Sequence, residues 1–364
     1  MDFGGISKRL TDWAKSILGW LPGGLGIVTV FSCAIFAALT GSGPATVAAI
    51  GSIMLPSMLK AGYSRETSAG LVASAGALGP IIPPSIPMII YGVTMNLSIP
   101  AMFMAGGVPG LVIALALSLV NVVFAYRNPE VLKHAKTMKF DFKESMKLFW
   151  KALGALGLPV LILGGIYGGI FTPTESAAVG IVYALILGFA LKELKVKDLP
   201  KILINSLKTS TMVNFIIAAA SLFSWVVSKS QIGIVISNAF ISFVGGSQAL
   251  YLFVLVVVLL IVGCLMDNVA ATLILAPILI PVGIALGCNE LHIGMLFCIC
   301  LVVGFVTPPF GYNLFTAVSI SGLNFKQIVK GALPFLLTEI LLLFVFAYVP
   351  GIITWLPRLM GYGY

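Results

Sequence analysis

Gly79-Pro80-Ile81-Ile82-Pro83-Pro84-Ser85-Ile86-Pro87-Met88 lies inside an apolar run, from about Glu66 to Asn96, that otherwise reads as a membrane helix. Four prolines and a glycine in ten residues cannot continue an α-helix. Each proline removes a backbone donor and clashes with the preceding turn. In hydrocarbon, freed backbone groups are tolerated only where protein or a water-filled cavity satisfies them. The stretch therefore reads as a break in a transmembrane helix, at a binding site within the bilayer. It has an echo. Gly304-Phe305-Val306-Thr307-Pro308-Pro309-Phe310-Gly311-Tyr312-Asn313 carries the same Gly and Pro-Pro at the same internal spacing.

The surrounding chain is apolar to match. Of 364 residues, 59% are hydrophobic and 9% charged, with a mean hydropathy of +1.11. Soluble domains carry about a quarter charged residues. Apolar runs long enough for helical spans recur along the whole length, and the short apolar/polar alternation of a membrane β-barrel is absent. The expected fold class is an all-α polytopic membrane protein. The net charge of +9 does not point to nucleic acid, because the basic residues sit in short segments between apolar runs, as in cytoplasmic loops facing anionic lipid. Cys33, Cys264, Cys288, Cys298 and Cys300 lie in or beside apolar runs and read as small buried hydrophobes. With His134 and His292 the only histidines, neither a metal centre nor any other cofactor is expected.

Residues 1–22 hold a short amphipathic segment, with Leu10, Trp13 and Ile17 on one side and Lys8, Arg9, Asp12 and Lys15 on the other. It is too polar to span and reads as interfacial, with no signal peptide before it. Residues 23–127 follow as one unit: two apolar arms (24–59) around Gly41–Thr46, the broken helix 66–96, and a helix over 103–126. At about 1.5 Å per residue each arm is roughly 25 Å long, so length alone does not separate two spans from one re-entrant hairpin. Charge does. A hairpin keeps Lys8, Arg9, Lys15, Lys60 and Arg65 on one side and puts the most basic loop, from Arg127 to Lys151, inside as well. Residues 128–247 read as an interfacial arm followed by scaffold helices. Residues 248–364 repeat the first pattern: hairpin 248–286, broken helix 292–320, helix 332–350 and a tail.

Sliding the chain by 225 residues, the offset between Pro83 and Pro308, aligns the halves without a gap. Ala45 falls on Ala270, Pro56 on Pro281, Gly62 on Gly287, Gly79 on Gly304, Gly106 on Gly331 and Pro109 on Pro334. An odd number of spans separates the units, so the repeats are expected to be inverted. Inverted repeats with broken helices meeting at the midplane characterise secondary transporters. Half-helix N-termini there favour an anion, and unwound carbonyls can hold Na+. No GxxxxGK[ST] phosphate loop appears, so an ion gradient rather than ATP is the expected energy source.

Asp267, beside Asn268 at the second hairpin tip, is the sharpest candidate, because a carboxylate within the membrane is functional by default. The plainer role is an N-cap for the arm that follows. Ser42 and Thr46 stand where hydroxyls meet a carboxylate substrate or Na+, or simply bond to a Gly-rich turn. Ser85 and Asn313 follow the Pro-Pro pairs and either line the cavity or satisfy freed backbone groups. Arg65 fits a topology role better than anion attraction. Thr172-Pro173-Thr174-Glu175 fits a capping box, which removes Glu175 as a catalytic candidate. Gly164, Gly165, Gly168 and Gly169 suggest a tightly packed helix. No Ser/His, paired-Asp or metal constellation supports an enzyme.

At these residues the chain resembles the large membrane subunit of the tripartite ATP-independent periplasmic (TRAP) transporters. The resemblance rests on Thr40-Gly41-Ser42-Gly43-Pro44-Ala45-Thr46, on both Pro-Pro breaks, on Phe171-Thr172-Pro173-Thr174-Glu175 and on Gly263-Cys264-Leu265-Met266-Asp267. It implies an elevator-type, Na+-coupled importer of an organic acid anion, such as a C4-dicarboxylate, sialic acid or another sugar or keto acid, in the bacterial inner membrane. It also implies a periplasmic substrate-binding protein and a small four-helix membrane subunit as partners. One Na+ site would involve Thr40 and Ser42 with Gly79, Ile82 and Pro84; a second would involve Gly263 with Gly304, Thr307 and Phe310. Most ligands would be main-chain carbonyls. The substrate would meet Ser42, Thr46, Ser85, Asp267, Asn268 and Asn313. Family members usually begin with further helices before the segment matching Ile6–Trp20, so truncation or a misplaced start is expected here. The nearest alternative is a stand-alone Na+/organic-anion symporter.

Overall fold

A computed structural model of the chain describes residues 6–363. The first five residues of the expected interfacial segment, and Tyr364 of the tail, lie outside the described residues. The described residues form α-helices and one short 3-10 turn, with no strand among them. Amphipathic α1 (Ile6–Leu18) buries Leu10, Thr11 and Ala14. The Trp13 ring lies 6.2 Å from Phe31 and 5.5 Å from Phe149. Arg9 pairs with Glu193, tying α1 to a loop far along the chain.

Five helices follow over residues 24–126. α2 (Gly24–Thr40) and α3 (Gly43–Lys60) form the hairpin, α4 (Arg65–Gly76) and α5 (Ile86–Met95) the two halves of the broken helix, and α6 (Ile99–Tyr126) closes it. The hairpin tip is tighter than the sequence suggests. Helix resumes at Gly43 because Pro44 falls in the first helical turn, where its missing N–H and fixed φ are assets. Only Gly41 and Ser42 remain non-helical, and Gly41 takes φ 59°, a left-handed conformation that suits glycine. The break covers 77–85, and Ser64 starts α4 by accepting a hydrogen bond from the Thr67 N–H at 3.1 Å.

The middle of the chain is more exposed. α7 (Pro129–Thr137) is a short amphipathic helix, and α8 (Phe142–Tyr167) then runs for 26 residues without interruption. The basic stretch expected as one arm over 128–150 therefore divides at Asp141, whose carboxylate caps α8 through the Lys143 and Glu144 N–H groups at 2.8 and 3.3 Å. α9 (Pro173–Ala190), α10 (Leu199–Lys229) and α11 (Ile232–Val244) complete this part. The expected glycine packing is absent from 164–169: a Cβ would meet nothing at Gly164 or Gly169, and at Gly165 only the nearby Phe171 ring. α8 and α9 instead approach at Gly154 and Gly157, opposite Leu187 and Tyr183, and at Gly180, opposite Ile162.

The second unit repeats the first: α12 (Gln248–Leu265), α13 (Asn268–Ala285), α14 (Glu290–Gly304), α15 (Tyr312–Ser321) and α16 (Phe325–Tyr348), followed by amphipathic α17 (Gly351–Leu359). Its tip is Met266–Asp267 and its break covers 305–311. Among the described residues, seven helices are long and apolar enough to cross a membrane. The two units interlock reciprocally. α3 packs on α15 while α13 packs on α5, and α4 packs on α16 while α14 packs on α6. Each hairpin thus lies against the second half of the other unit's broken helix. α14 is buried along its whole length, so the core is centred on the two broken helices.

Candidate site at two hairpin tips and two helix breaks

The first tip and first break meet backbone to backbone. A Cβ added at Gly79 would lie 2.6 Å from the Ser42 carbonyl oxygen and 2.9 Å from Thr46 Oγ1. On the other side of the tip, a Cβ at Gly41 would lie 3.0 Å from the Pro84 carbonyl oxygen. Thr46 Oγ1 donates to the Ser42 carbonyl at 2.8 Å and stands 3.0 Å from Thr40 Oγ1. Thr40 Oγ1, Thr46 Oγ1 and the Ser42 carbonyl are therefore one cluster of oxygens packed on Gly79, with the Pro84 carbonyl across Gly41. Ile82 turns its side chain toward α6, where a Cβ at Gly110 would meet it at 2.6 Å. Ser85, almost fully buried, donates to the Pro80 carbonyl at 2.5 Å and so satisfies a group that the break frees.

The second tip and break repeat the close approach with different residues. A Cβ at Gly304 would lie 2.6 Å from Gly263 Cα, and one at Gly263 would lie 2.6 Å from the Leu301 carbonyl oxygen. The Gly311 N–H reaches the Cys264 carbonyl at 3.5 Å, and Thr307 Oγ1 donates to the Val303 carbonyl at 3.1 Å. Phe310 is half exposed, with its ring 6.3 Å from Phe315. Asp267 accepts the Val269 N–H at 2.9 Å through Oδ1 and so caps α13, and the residue is partly exposed. Asn268 is buried, and its Oδ1 has no hydrogen-bond partner.

Asn313 joins the two regions. Fully buried at the start of α15, it donates through Nδ2 to the Ala73 carbonyl in α4 at 3.1 Å. A Cβ at Gly43, in the first turn of α3, would lie 2.6 Å from its Oδ1. The first turn of α3 thus meets Asn313 at the start of α15, and Gly41, just before α3, lies beside Ser85 and Ile86 at the start of α5. Each end carries unpaired N–H groups and partial positive charge, which suits an anion, while the neighbouring unwound carbonyls suit a cation.

Other polar groups fall outside this centre. Arg65 lines a cavity of about 170 Å³ between α3 and the end of α15, with Ser52 and Ser321. Thr172 and Glu175 form the expected capping box. The sequence reading passed over Glu339 in α16. It is fully buried with neither carboxylate oxygen partnered, and a lone acid in an apolar helix was the signal that marked it. All five cysteines are free and buried, and no group of three or more acidic, His or Cys residues that could hold a metal occurs among the described residues.

Comparison with known proteins agrees with this architecture. Residues 1–352 match the family model described as tripartite ATP-independent periplasmic transporter, DctM component. The C4-dicarboxylate TRAP transporter large permease protein DctM of Pseudomonas aeruginosa is 40% identical over 99% of this chain and 84% of its own length. The isethionate TRAP transporter permease protein DctMQ of Oleidesulfovibrio alaskensis is 40% identical over 97% of this chain and 55% of its own length. The sialic acid TRAP transporter large permease protein SiaM of Vibrio cholerae is 33% identical over all of this chain and 84% of its own length. The chain therefore belongs to the DctM family, as a large permease protein of a TRAP transporter: a multi-pass protein of the bacterial inner membrane and a transporter, not an enzyme.

Proposed function

We propose that this permease imports an organic acid anion driven by a Na+ gradient, and that it receives its substrate from a periplasmic binding protein beside a small four-helix membrane subunit. The similar permeases are named for C4-dicarboxylates, isethionate and sialic acid, all small acids, so a carboxylate- or sulfonate-bearing anion is the substrate class. The observation that carries the reading is the backbone contact at each tip and break: Ser42 against Gly79, and Gly263, in the last turn of α12 before the second tip, against Gly304, the residue before the second break. Such contacts bring main-chain carbonyls together in a bilayer without helical partners, the usual setting for Na+ in transporters with broken helices.

The first Na+ site comprises Thr40, Ser42, Gly79, Ile82 and Pro84; the second comprises Gly263, Gly304, Thr307 and Phe310. Ser42, Thr46, Ser85, Asp267, Asn268 and Asn313 form the substrate side. The helix N-termini beside them favour the anion, and bound Na+ offsets its charge. The two units are inverted repeats, and the block they form moves as an elevator against the exposed helices α8–α10. No covalent step is required; positioning and ion coordination carry the mechanism.

Liposomes holding the protein with its small subunit test this directly. Uptake of a labelled C4-dicarboxylate should require both an inward Na+ gradient and the cognate binding protein. Uptake that proceeds without either overturns the reading.

A further inference from the structure

We propose that Asn313 is a positioning residue that couples the two ion sites: it ties the second break to the first hairpin tip, so that filling one site prepares the other. This rests on the Na+ reading above. Three contacts carry it. The Asn313 backbone N–H donates to the Phe305 carbonyl at 3.0 Å, which anchors the residue to the second break. Its side-chain N–H donates to the Ala73 carbonyl at 3.1 Å, 240 residues away, in the half-helix that runs into the first break. Its Oδ1 lies against Gly43, directly after the first tip, and has no hydrogen-bond partner.

The space around the amide is built to fit it. A Cβ at Gly43 would stand 2.6 Å from Oδ1, and one at Gly76 would stand 3.3 Å from Nδ2. Two glycines on two helices of the first unit thus make room for one side chain of the second. A buried amide with an unpartnered acceptor is costly in a dry interior. A side chain that only packed would not need to bury an amide there.

The repeat supplies an independent argument. The offset that places Pro83 on Pro308 also places Gly43 on Asn268 and Met88 on Asn313. Asn313 on the second break thus meets the first tip, and Asn268 on the second tip begins α13, which packs on α5 after the first break. Asn268, like Asn313, is buried with its Oδ1 unpartnered. Met88 is fully buried, and its thioether fills the space beside Gly106 of α6, where a Cβ would meet it at 2.3 Å. The polar link between the units thus runs through Asn313 at the first tip, and only an apolar side chain stands at the equivalent break position.

Hydrogen–deuterium exchange of the full-length protein in nanodiscs, across a NaCl titration at constant ionic strength, reads the two sites separately. In the unmodified protein, Na+ should protect peptides covering 37–47 and 300–312 with one shared midpoint. In Asn313→Leu, which keeps the branched shape of the side chain and removes the amide, the midpoint at 300–312 should stay. The midpoint at 37–47 should rise about tenfold, as expected for one buried hydrogen-bonded link. Gly43→Ala, which displaces Oδ1 without touching residue 313, should do the same, and the double variant should be no worse than either single one. If both midpoints are unchanged in both variants, Asn313 only packs and the proposal fails. Equal shifts at both sites with the midpoint still shared overturn it too, because they leave the coupling intact. Absence of any Na+-dependent protection in the unmodified protein overturns the Na+ reading itself and the coupling with it.

Discussion

A Cβ placed on Gly79 would lie 2.6 Å from the carbonyl oxygen of Ser42, so the first helix break and the first hairpin tip are in direct backbone contact. The two nearest atoms a methyl group meets there are main chain and cannot swing aside, with Thr46 Oγ1 next. Gly79→Ala should push the tip away from the break and reduce Na+-driven uptake by about tenfold or more, given roughly 1–3 kcal/mol for an overpacked contact. Gly304→Ala should act alike, since its Cβ would lie 2.6 Å from Gly263 Cα. Gly164→Ala is the control, because its Cβ would meet nothing within 4 Å. Uptake in proteoliposomes at matched protein content measures all three. Equal activity of Gly79→Ala and the control would remove the tip–break contact from the mechanism.

Thr172 and Glu175 make a reciprocal pair at the start of α9. The Glu175 N–H donates to Thr172 Oγ1 at 3.3 Å, and Glu175 Oε2 accepts the Thr172 N–H at 2.8 Å. Thr172→Ala removes the cap and should lower the thermal midpoint by about 1–3 °C. Glu175→Gln keeps the box and should leave both stability and uptake unchanged. A loss of uptake in Glu175→Gln with normal stability would make this carboxylate functional after all.

How much of this was legible in the residues follows from the range of the interactions. The breaks, the tips and the Thr172–Glu175 box are local, because Pro, Gly and capping pairs act within a few positions. The course of α8 through Lys143, Lys147 and Lys151 was less legible. Charge suggests where a helix meets water, yet nothing between Phe142 and Tyr167 stops one until the glycine pair at 168 and 169, where Gly169 takes φ 67°. Pro159 is accommodated inside α8. The bond from Asn313 to Ala73 was not legible at all. It spans 240 residues and depends on how the two units interlock, which no local pattern encodes. Glu339 is harder to read for a different reason: it belongs to no motif, and a single acid in an apolar helix is its one mark in the sequence until its complete burial is seen.

Lys15 gives a pH dependence with a definite sign. Its Nζ donates to Ser57 Oγ at 3.1 Å, and burial of α1 against the hairpin lowers its pKa below the ordinary 10.5. Asp12 partly offsets this, and Lys8 adds to it. Between the folded value and 10.5 the unfolded chain binds more protons than the folded one, so stability from this group rises with pH across that window. Below the folded value the cost of the buried charge is fully present. Lys15→Met should be at least as stable near neutral pH and should show a flatter rise toward alkaline pH. The effect is small because the ammonium group is partly in water. Thermal midpoints of both proteins, measured in steps from neutral pH upward, check it. Parallel curves would exclude Lys15 as the source.

Asp267 separates capping from transport most cleanly. Its carboxylate accepts the Val269 N–H at 2.9 Å, which asparagine does equally well at an N-cap. Asp267→Asn therefore removes the charge and keeps the cap. Thermal stability should hold, while Na+-driven uptake should fall by about tenfold or more and its Na+ dependence should change, as for a charge that acts within the membrane. Asp267→Ala should lose stability as well. The contrast with Ser42 gives the prediction its force. Ser42 occupies the equivalent place at the first tip, yet no side-chain cap bond forms there and its carbonyl serves the Thr46 hydroxyl instead. One tip thus offers oxygen without charge and the other offers charge, an asymmetry that capping alone does not require. If Asp267→Asn transports with unaltered rate and Na+ dependence, the carboxylate is a cap and nothing more.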